Sequence, residues 1–112
     1  MNSRGKDGEK VARRFLEESG CRVIATNFRS RWGELDIVVI DAQRTLVFVE
    51  VKSYSPHSMV DPLFAITPIK VHRIKKTIRY FLMRYPGYVD YDMRIDAVVT
   101  DGVAVQAHIE AI

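Results

Sequence analysis

The segment GELDIVVIDAQRTLVFVEVKSY, residues 33–54, carries the clearest signal of the fold. Valine, isoleucine and other apolar residues fill its two halves, and the polar segment DAQR, residues 41–44, separates them. Two such apolar runs on either side of a short polar turn are typical of paired β-strands. We therefore predict strands over residues 34–41 and 45–54.

A helix and a strand are predicted before this pair. Residues 8–19 carry apolar side chains at helical spacing, with Glu9 in the first turn and Gly20 placed to end the helix. Residues 22–29 contain a shorter apolar run, which favours a strand. The apolar stripe of the helix consists of Val11, Ala12, Phe15 and Leu16. The three strands together predict an antiparallel meander.

One helix and two strands are predicted after it. Residues 53–66 contain two prolines and three serines without periodicity, which indicates a loop with one helical turn. Thr67-Pro68 then supplies a cap and a first-turn proline for a helix that Pro86-Gly87 ends. Strands are predicted over residues 94–100 and 103–109, joined by a tight turn at Asp101-Gly102.

The order of elements predicts the fold class. A chain of 112 residues has the usual size of one domain. Its order, α-β-β-β-α-β-β, predicts a single α/β domain over residues 1–112, in which helices flank a mixed five-stranded sheet and residues 1–5 are flexible. The connection from the third strand through the second helix is long enough for a right-handed parallel crossover.

Composition excludes several classes of protein. Hydrophobic residues make up 47% and charged residues 28%, which is too apolar for a disordered chain. The single cysteine, Cys21, excludes an internal disulfide and a cysteine-based zinc site. No apolar run reaches the length of a membrane span, and the first residues lack the pattern of a signal peptide. We therefore expect a cytoplasmic protein.

Charge is distributed unevenly along the chain. Residues 67–86 contain six Lys or Arg and no Asp or Glu, whereas residues 32–66 contain two and five, within a net charge of +3. Basic segments around an acidic centre would suit a phosphate backbone held at a metal site. The basic residues of the second helix are equally consistent with a solvated face.

The candidate site lies at the ends of the two central strands. Because strand side chains alternate, Glu34 and Asp36 share one face of their strand, and Glu50 and Lys52 share one face of the next. Lys52 could simply neutralise Asp36 or Glu50 as a structural ion pair. Three acids facing one base leave an excess of negative charge, however, which favours a divalent cation such as Mg²⁺ or Mn²⁺.

These residues carry a resemblance to a known family. Asp36 followed by Glu50-Val51-Lys52 resembles the signature of the PD-(D/E)XK nucleases, with Leu35 in place of the proline. Further motifs extend the resemblance to residues 5–99, and together they are similar to the bacterial YraN family, which in turn resembles the archaeal Holliday-junction resolvases. These motifs are Gly8-Glu9, Asn27-Phe28-Arg29, Gly33-Glu34-Leu35-Asp36, Phe48-Val49-Glu50-Val51-Lys52, Thr67-Pro68-Ile69-Lys70 and Arg94-Ile95-Asp96-Ala97-Val98.

The resemblance implies a restriction-endonuclease-like fold, a divalent metal and hydrolysis of DNA phosphodiester bonds. It implies that Asp36, Glu50 and the Val51 carbonyl are metal ligands, that Lys52 lies at the scissile phosphate, and that Glu9 approaches the same metal. Glu34 belongs to the family pattern outside the core nuclease signature. The stretch over residues 53–59 departs from the family.

Other residues have two interpretations each. Lys70, Arg73, Lys76 and Arg31 are predicted nucleic-acid contacts, and Trp32 could stack on a base or pack in the core. Asp96 could be a fourth site acid or an ion-pair partner of an arginine. No two of His57, His72 and His108 have metal-ligand spacing.

Three functions are consistent with the sequence. The leading hypothesis is an endonuclease that acts on structured or branched DNA. A homodimer would suit such an enzyme, because a junction has two strands to be cut. The alternatives are a nucleic-acid-binding module without catalysis and a small protein-interaction domain.

Overall fold

A computed structural model describes residues 3–112 apart from residues 56, 58 and 60, and excludes the side chains of residues 3–6. Two short 3₁₀ segments, Pro62–Ala65 and Pro86–Tyr88, accompany the main elements. Those elements are α1 (Ser3–Glu18), β1 (Arg22–Ser30), β2 (Gly33–Ile40), β3 (Leu46–Ser53), α2 (Pro68–Arg84), β4 (Met93–Thr100) and β5 (Val105–Ile109).

The five strands form one mixed sheet in the order β1-β2-β3-β4-β5. The first three strands are antiparallel neighbours, β4 runs parallel to β3, and β5 returns antiparallel to β4. The connection from β3 to its parallel neighbour contains α2, because parallel strands need a long crossover. The predicted α/β class, the element order and the three-stranded meander are confirmed.

One helix packs on each face of the sheet. On the first face, Ala12 and Leu16 of α1 pack on Ile37, Val47 and other buried strand residues. On the second face, the apolar stripe of α2 packs on the alternate residues of the same strands. The buried members of this second cluster are Leu35, Val38, Ile40, Leu46, Phe48, Ile74 and Phe81.

The two central strands separate at the end that carries the acids. Their register runs from Ile40 opposite Leu46 to Ile37 opposite Val49. At the next position the Asp36 side chain, rather than a backbone carbonyl, accepts the N–H of Val51 at 2.8 Å. The backbones of β2 and β3 therefore separate at this end, and the Asp36 side chain spans the gap to Val51.

Two predicted boundaries differ from the structure by two residues or more. The first helix begins at Ser3 rather than at residue 8, so Glu9 lies in its second turn. Residues 3–7 contain no apolar residue, and hydrophobic periodicity therefore cannot reveal them as helical. The last strand begins at Val105 rather than at residue 103, because the Asp101 carboxylate accepts the N–H groups of the two preceding turn residues, Val103 and Ala104.

Neither helix has the length and apolar character needed to cross a membrane, among the residues that the structure describes.

Candidate metal centre and nucleic-acid interface

The gap between β2 and β3 opens into a cavity of about 450 Å³. The sheet contributes Glu34, Asp36 and Glu50 to its lining, and the first turns of α2 contribute Lys70 and Arg73. The Thr67 hydroxyl caps α2 by accepting the N–H of Lys70 at 3.2 Å, which fixes the start of the helix over the site. The strand ends and the helix start thus bring together residues that are far apart in sequence.

Glu50 is the most buried acid of the site, with only 3% of its surface exposed. One carboxylate oxygen, Oε1, lies 3.5 Å from the ammonium nitrogen of Lys70. The other oxygen, Oε2, is fully buried and has no hydrogen-bond partner within the described part of the chain. A buried carboxylate oxygen without a partner costs free energy, so this atom is a candidate ligand for a cation.

Asp36 lies on the opposite side of the gap. Burial raises the pKa of its carboxyl group to about 7, and the neighbouring Glu50 carboxylate contributes further to the rise. The N–H and carbonyl of a strand residue point to the same edge, so the Val51 carbonyl also faces the gap into which the Val51 N–H donates. Asp36, Glu50 and this carbonyl, predicted as ligands, are therefore brought together.

Glu9 and Glu34 join the site through Asn27. The Asn27 amide donates to Glu9 Oε2 at 3.0 Å and to Glu34 Oε1 at 2.8 Å. Carboxylate oxygens of Glu9, Glu34 and Asp36 lie within 4.8 Å of one another. Asn27 is a site residue that the pattern of the strands does not reveal. The motif Asn27-Phe28-Arg29, which belongs to the family resemblance, is the sequence signal that points to it.

A glycine lets α1 approach the sheet beside Glu9. A Cβ atom at Gly8 would lie 3.1 Å from the Cγ2 methyl of Thr100 on β4. This contact is tighter than ordinary van der Waals packing, so a larger residue would push the helix away. The small residue at this position therefore helps to place the Glu9 carboxylate near the other acids.

Two lysines, rather than one, face the acids. The pKa of Lys52 is lowered by burial and by the adjacent Lys70 amino group. The pKa of Lys70 is raised, first by its hydrogen bond to Lys52 and then by the Glu50 carboxylate. The ion pair in the structure is Lys70–Glu50, whereas the sequence suggested Lys52 as the partner of Asp36 or Glu50.

The second lysine and an arginine reduce the charge excess inferred from sequence. Lys70 lies at Glu50, and the Arg29 guanidinium lies 3.3 Å from Glu34. The start of α2 lies over the strand ends in the folded protein although it is distant from them in sequence. The residue pattern of β2 and β3 therefore could not reveal the contact between Lys70 and Glu50. Even so, the Oε2 atom of Glu50 is left without a partner among the described residues.

The acids of the site form groups that could hold a metal ion. Carboxylate and carbonyl oxygens are hard ligands of the kind that divalent cations such as Mg²⁺ prefer. The buried Oε2 atom of Glu50 and the clustered oxygens of Glu9, Glu34 and Asp36 fit such an ion. The chemistry of these side chains therefore fits a divalent cation.

The predicted nucleic-acid contacts lie around the cavity mouth. Arg73 lines the cavity, and Lys76 lines a neighbouring pocket. The Arg31 guanidinium lies over the ring of Trp32, 5.1 Å from its centroid, and Trp32 lines both the cavity and the pocket. Arg73 thus lies beside the acids, whereas Lys76 lies at the neighbouring pocket and Arg31 lies at Trp32. The role of these residues in binding stays a prediction.

The remaining candidate residues lie elsewhere. Asp96 accepts two hydrogen bonds from Arg94, at 2.8 and 3.0 Å, and lies 2.8 Å from Nε2 of His108. The ion-pair interpretation of Asp96 is therefore confirmed. His72 is exposed, and Cys21 packs against the first apolar cluster.

Comparison with known proteins gives the family of the chain. The model of a family described as "Uncharacterised protein family UPF0102" matches residues 8–100. A UPF0102 protein of Chlorobium phaeobacteroides is 40% identical over 94 residues, which cover 84% of this chain and 73% of that protein. A UPF0102 protein of Streptomyces griseus is 40% identical over 101 residues, which cover 88% and 84% of the two chains. The resemblance to the YraN family is therefore confirmed, and the chain belongs to the UPF0102 (YraN) family.

Proposed function

We propose that this protein is a metal-dependent endonuclease that hydrolyses phosphodiester bonds of structured or branched DNA. The observation that carries the proposal is the buried Glu50 carboxylate, whose Oε2 atom has no partner among the described residues and which lies beside Asp36. Two adjacent buried carboxyl groups are costly in a metal-free protein. A cation bound between them would remove that cost.

Asp36, Glu50 and the Val51 carbonyl would hold the cation, with Glu9 and Glu34 close enough to support it. Mg²⁺ or Mn²⁺ is the proposed ion because all of these ligands are oxygen atoms. When bound, such an ion polarises a phosphoryl oxygen and makes hydroxide accessible near neutral pH. Asn27 keeps Glu9 and Glu34 in place through its amide.

The two lysines would have different tasks in this mechanism. The lowered pKa of Lys52 suits a group that orients the attacking water and exchanges a proton with it. Lys70, whose pKa is raised, stays cationic and would offset negative charge that develops on the phosphate. Arg73, which also lines the cavity, would hold a neighbouring phosphate of the backbone.

DNA cleavage by purified protein tests the proposal. With Mn²⁺ or Mg²⁺, the protein should nick a four-way junction, a flap or single-stranded DNA, and EDTA should stop the reaction. Asp36→Asn and Lys52→Ala should each reduce the rate at least about 100-fold, since each removes a group from the reacting centre.

The matched control is Asp101→Asn, which changes an acid of the exposed β4–β5 turn and should cleave like the parent protein. Cleavage that persists in both site variants would show a contaminating nuclease and refute the assignment.

The alternative function is nucleic-acid binding without catalysis. The Lys70–Glu50 ion pair and the raised pKa of Asp36 favour it, because a protonated Asp36 beside this pair balances much of the charge without a metal. Calorimetry with Mn²⁺ separates the two functions. A binding isotherm that Glu50→Gln abolishes supports the nuclease, whereas salt-dependent DNA binding without an Mn²⁺ isotherm supports the alternative.

A further inference from the structure

A second pocket adjoins the acidic cavity on the outer side of α2. Its volume is about 280 Å³. Trp32, Tyr80 and Met83 supply apolar and aromatic surface, and Lys76 and Arg79 supply positive charge. Met83 is 69% exposed, so the pocket is open to solvent rather than part of the core.

Trp32 connects this pocket with the acids. It is half-buried in the turn between β1 and β2 and lines both the pocket and the cavity of Asp36 and Glu50. Its backbone N–H donates to the Ser30 hydroxyl at 3.1 Å, and that hydroxyl lies 2.9 Å from the hydroxyl of the buried Thr77 on α2. The turn that carries the indole is therefore connected to α2, with the indole between the cavity and the pocket.

The surroundings of the indole suit a ligand that combines a planar aromatic ring with negatively charged phosphates. Arg31 lies over the Trp32 ring, and the Tyr80 ring meets it at 63° with centroids 6.4 Å apart. Residues 68–84 of α2 include six Lys or Arg and no acid. Aromatic side chains interleaved with basic ones bind single-stranded nucleic acids, because bases stack on the rings and phosphates pair with the cations.

We propose that this pocket stacks an unpaired nucleobase of the same strand whose phosphate would be bound at the cation held by Asp36 and Glu50. The substrate is then a strand with at least one unstacked base beside the cleaved bond, as in single-stranded DNA or at a junction, rather than continuous duplex. This inference rests on the proposed nuclease function and narrows its substrate class. A duplex base is excluded from the pocket because its faces are covered by its neighbours in the stack.

Trp32 itself reports on the stacking, because it is the single tryptophan of the chain. We expect a twelve-nucleotide oligothymidine, titrated in EDTA, to quench the intrinsic fluorescence of Trp32 with the same midpoint as the anisotropy of a labelled copy. A twelve-base-pair duplex should leave the fluorescence almost unchanged. Saturating anisotropy with oligothymidine and unchanged fluorescence would overturn the proposal.

Variants test the pocket by a second route. Trp32→Ala should weaken binding of labelled oligothymidine about tenfold, since stacking of one base contributes on that order, and Trp32→Phe should restore most of it. Duplex binding should stay the same in both variants. The matched control is Arg44→Ala, which removes an arginine placed 5.8 Å over the ring of Tyr91, away from the pocket, and should bind like the parent protein.

The outcomes separate this inference from the proposed function. If the parent protein cleaves DNA with Mn²⁺ and Trp32→Ala leaves the preference for single strands unchanged, the pocket proposal is wrong and the nuclease stands. If oligothymidine quenches Trp32 but no metal supports cleavage, stacking is supported and the nuclease is wrong. If the protein is a dimer that Trp32→Ala dissociates, the pocket is a contact between copies and the proposal is overturned.

Discussion

Glu50 and Asp36 face the same gap between β2 and β3, and both carboxyl groups are largely removed from water. Burial and the second carboxylate disfavour ionisation of Asp36, and its pKa of about 7 follows. In the unfolded chain the same group has a pKa near ~4. Between these two values the native state holds more protons than the unfolded chain, so Asp36 makes stability fall as the pH rises from about 4 to about 7.

Because ionisation of Asp36 lowers the stability as the pH rises, Asp36→Asn should stabilise the metal-free protein, which EDTA provides. Asparagine keeps an oxygen that can accept the N–H of Val51 but carries no charge. The free energy of unfolding should rise by roughly 2–4 kcal/mol at pH 8, where Asp36 must ionise, and should change little at pH 4. Urea denaturation at the two pH values measures the difference.

Asp101→Asn is the control for this experiment. The pKa of Asp101 is lowered by the N–H groups of Ala104 and Val103, which is the opposite shift. This substitution should therefore give no gain at pH 8. An equal gain from Asp36→Asn at both pH values would show that burial of its charge is not the cause.

The lysines show why residue type alone does not assign a role. Lys52 stands in the nuclease-like signature, yet Lys70 makes the ion pair with Glu50. Each changes the pKa of the other, downward for Lys52 and upward for Lys70. Their positions on β3 and α2 thus produce one lysine that gives up its proton more easily and one that keeps it.

At the scale of elements, the site depends on how α2 is fixed to the sheet. Thr77 is completely buried, and its hydroxyl donates to the Arg73 carbonyl at 3.0 Å. The same hydroxyl lies 2.9 Å from the Ser30 hydroxyl at the end of β1, which accepts the Trp32 N–H. This small polar network connects the middle of α2 with the turn that carries Trp32.

Removing the Thr77 hydroxyl should loosen that connection. Thr77→Val keeps the shape of the side chain but leaves the half-buried Ser30 hydroxyl with fewer partners, and it should lower the free energy of unfolding by about 1–2 kcal/mol. Thr77→Ser keeps the hydroxyl and loses only a methyl group.

Chemical denaturation gives the stability of both variants, and the Trp32 emission maximum reports the local effect. We expect a shift of the Trp32 emission in the folded state of Thr77→Val but not in that of Thr77→Ser. An unshifted emission in Thr77→Val would contradict the role of the network in positioning the indole.

At the scale of the whole molecule, charge is separated by element. Four of the six basic residues of α2 line the cavity or the pocket, namely Lys70, Arg73, Lys76 and Arg79, whereas the site acids come mainly from the sheet. A net charge of +3 conceals this division. The division favours a polyanion that follows α2 and presents a single phosphate to the acids.

Salt dependence of DNA binding checks this arrangement. Arg73→Gln combined with Lys76→Gln should reduce the slope of log K against log salt for oligothymidine by about 1.4, because each lost phosphate contact contributes about 0.7 for single strands. The control combines Arg14→Gln with Arg22→Gln, which removes the same charge from exposed positions on α1 and β1. Equal losses in both proteins would indicate an effect of net charge alone.

Local patterns in the sequence specify the helices, the strands and the acids at the centre of the site. Runs of Val and Ile, the turn at residues 41–44 and the helical stripes follow from local spacing, so the α/β class, the element order and the three-stranded meander could be predicted. Alternation along β2 and β3 also predicted that Asp36, Glu34 and Glu50 line one site. The family motifs added Glu9, which spacing alone could not connect to the strands.

The pairing of the charges at the site and the extent of the site depend on the tertiary structure. The crossover from β3 to the parallel strand β4 contains α2 and places Lys70 beside Glu50. Because β2 separates from β3 at this end, the Val51 N–H donates to the Asp36 side chain. Asn27 and the pocket beside Trp32 likewise depend on contacts between residues distant in sequence. Hydrophobic periodicity records which face of an element is buried, whereas the partner of a buried charge depends on how separate elements cross in space.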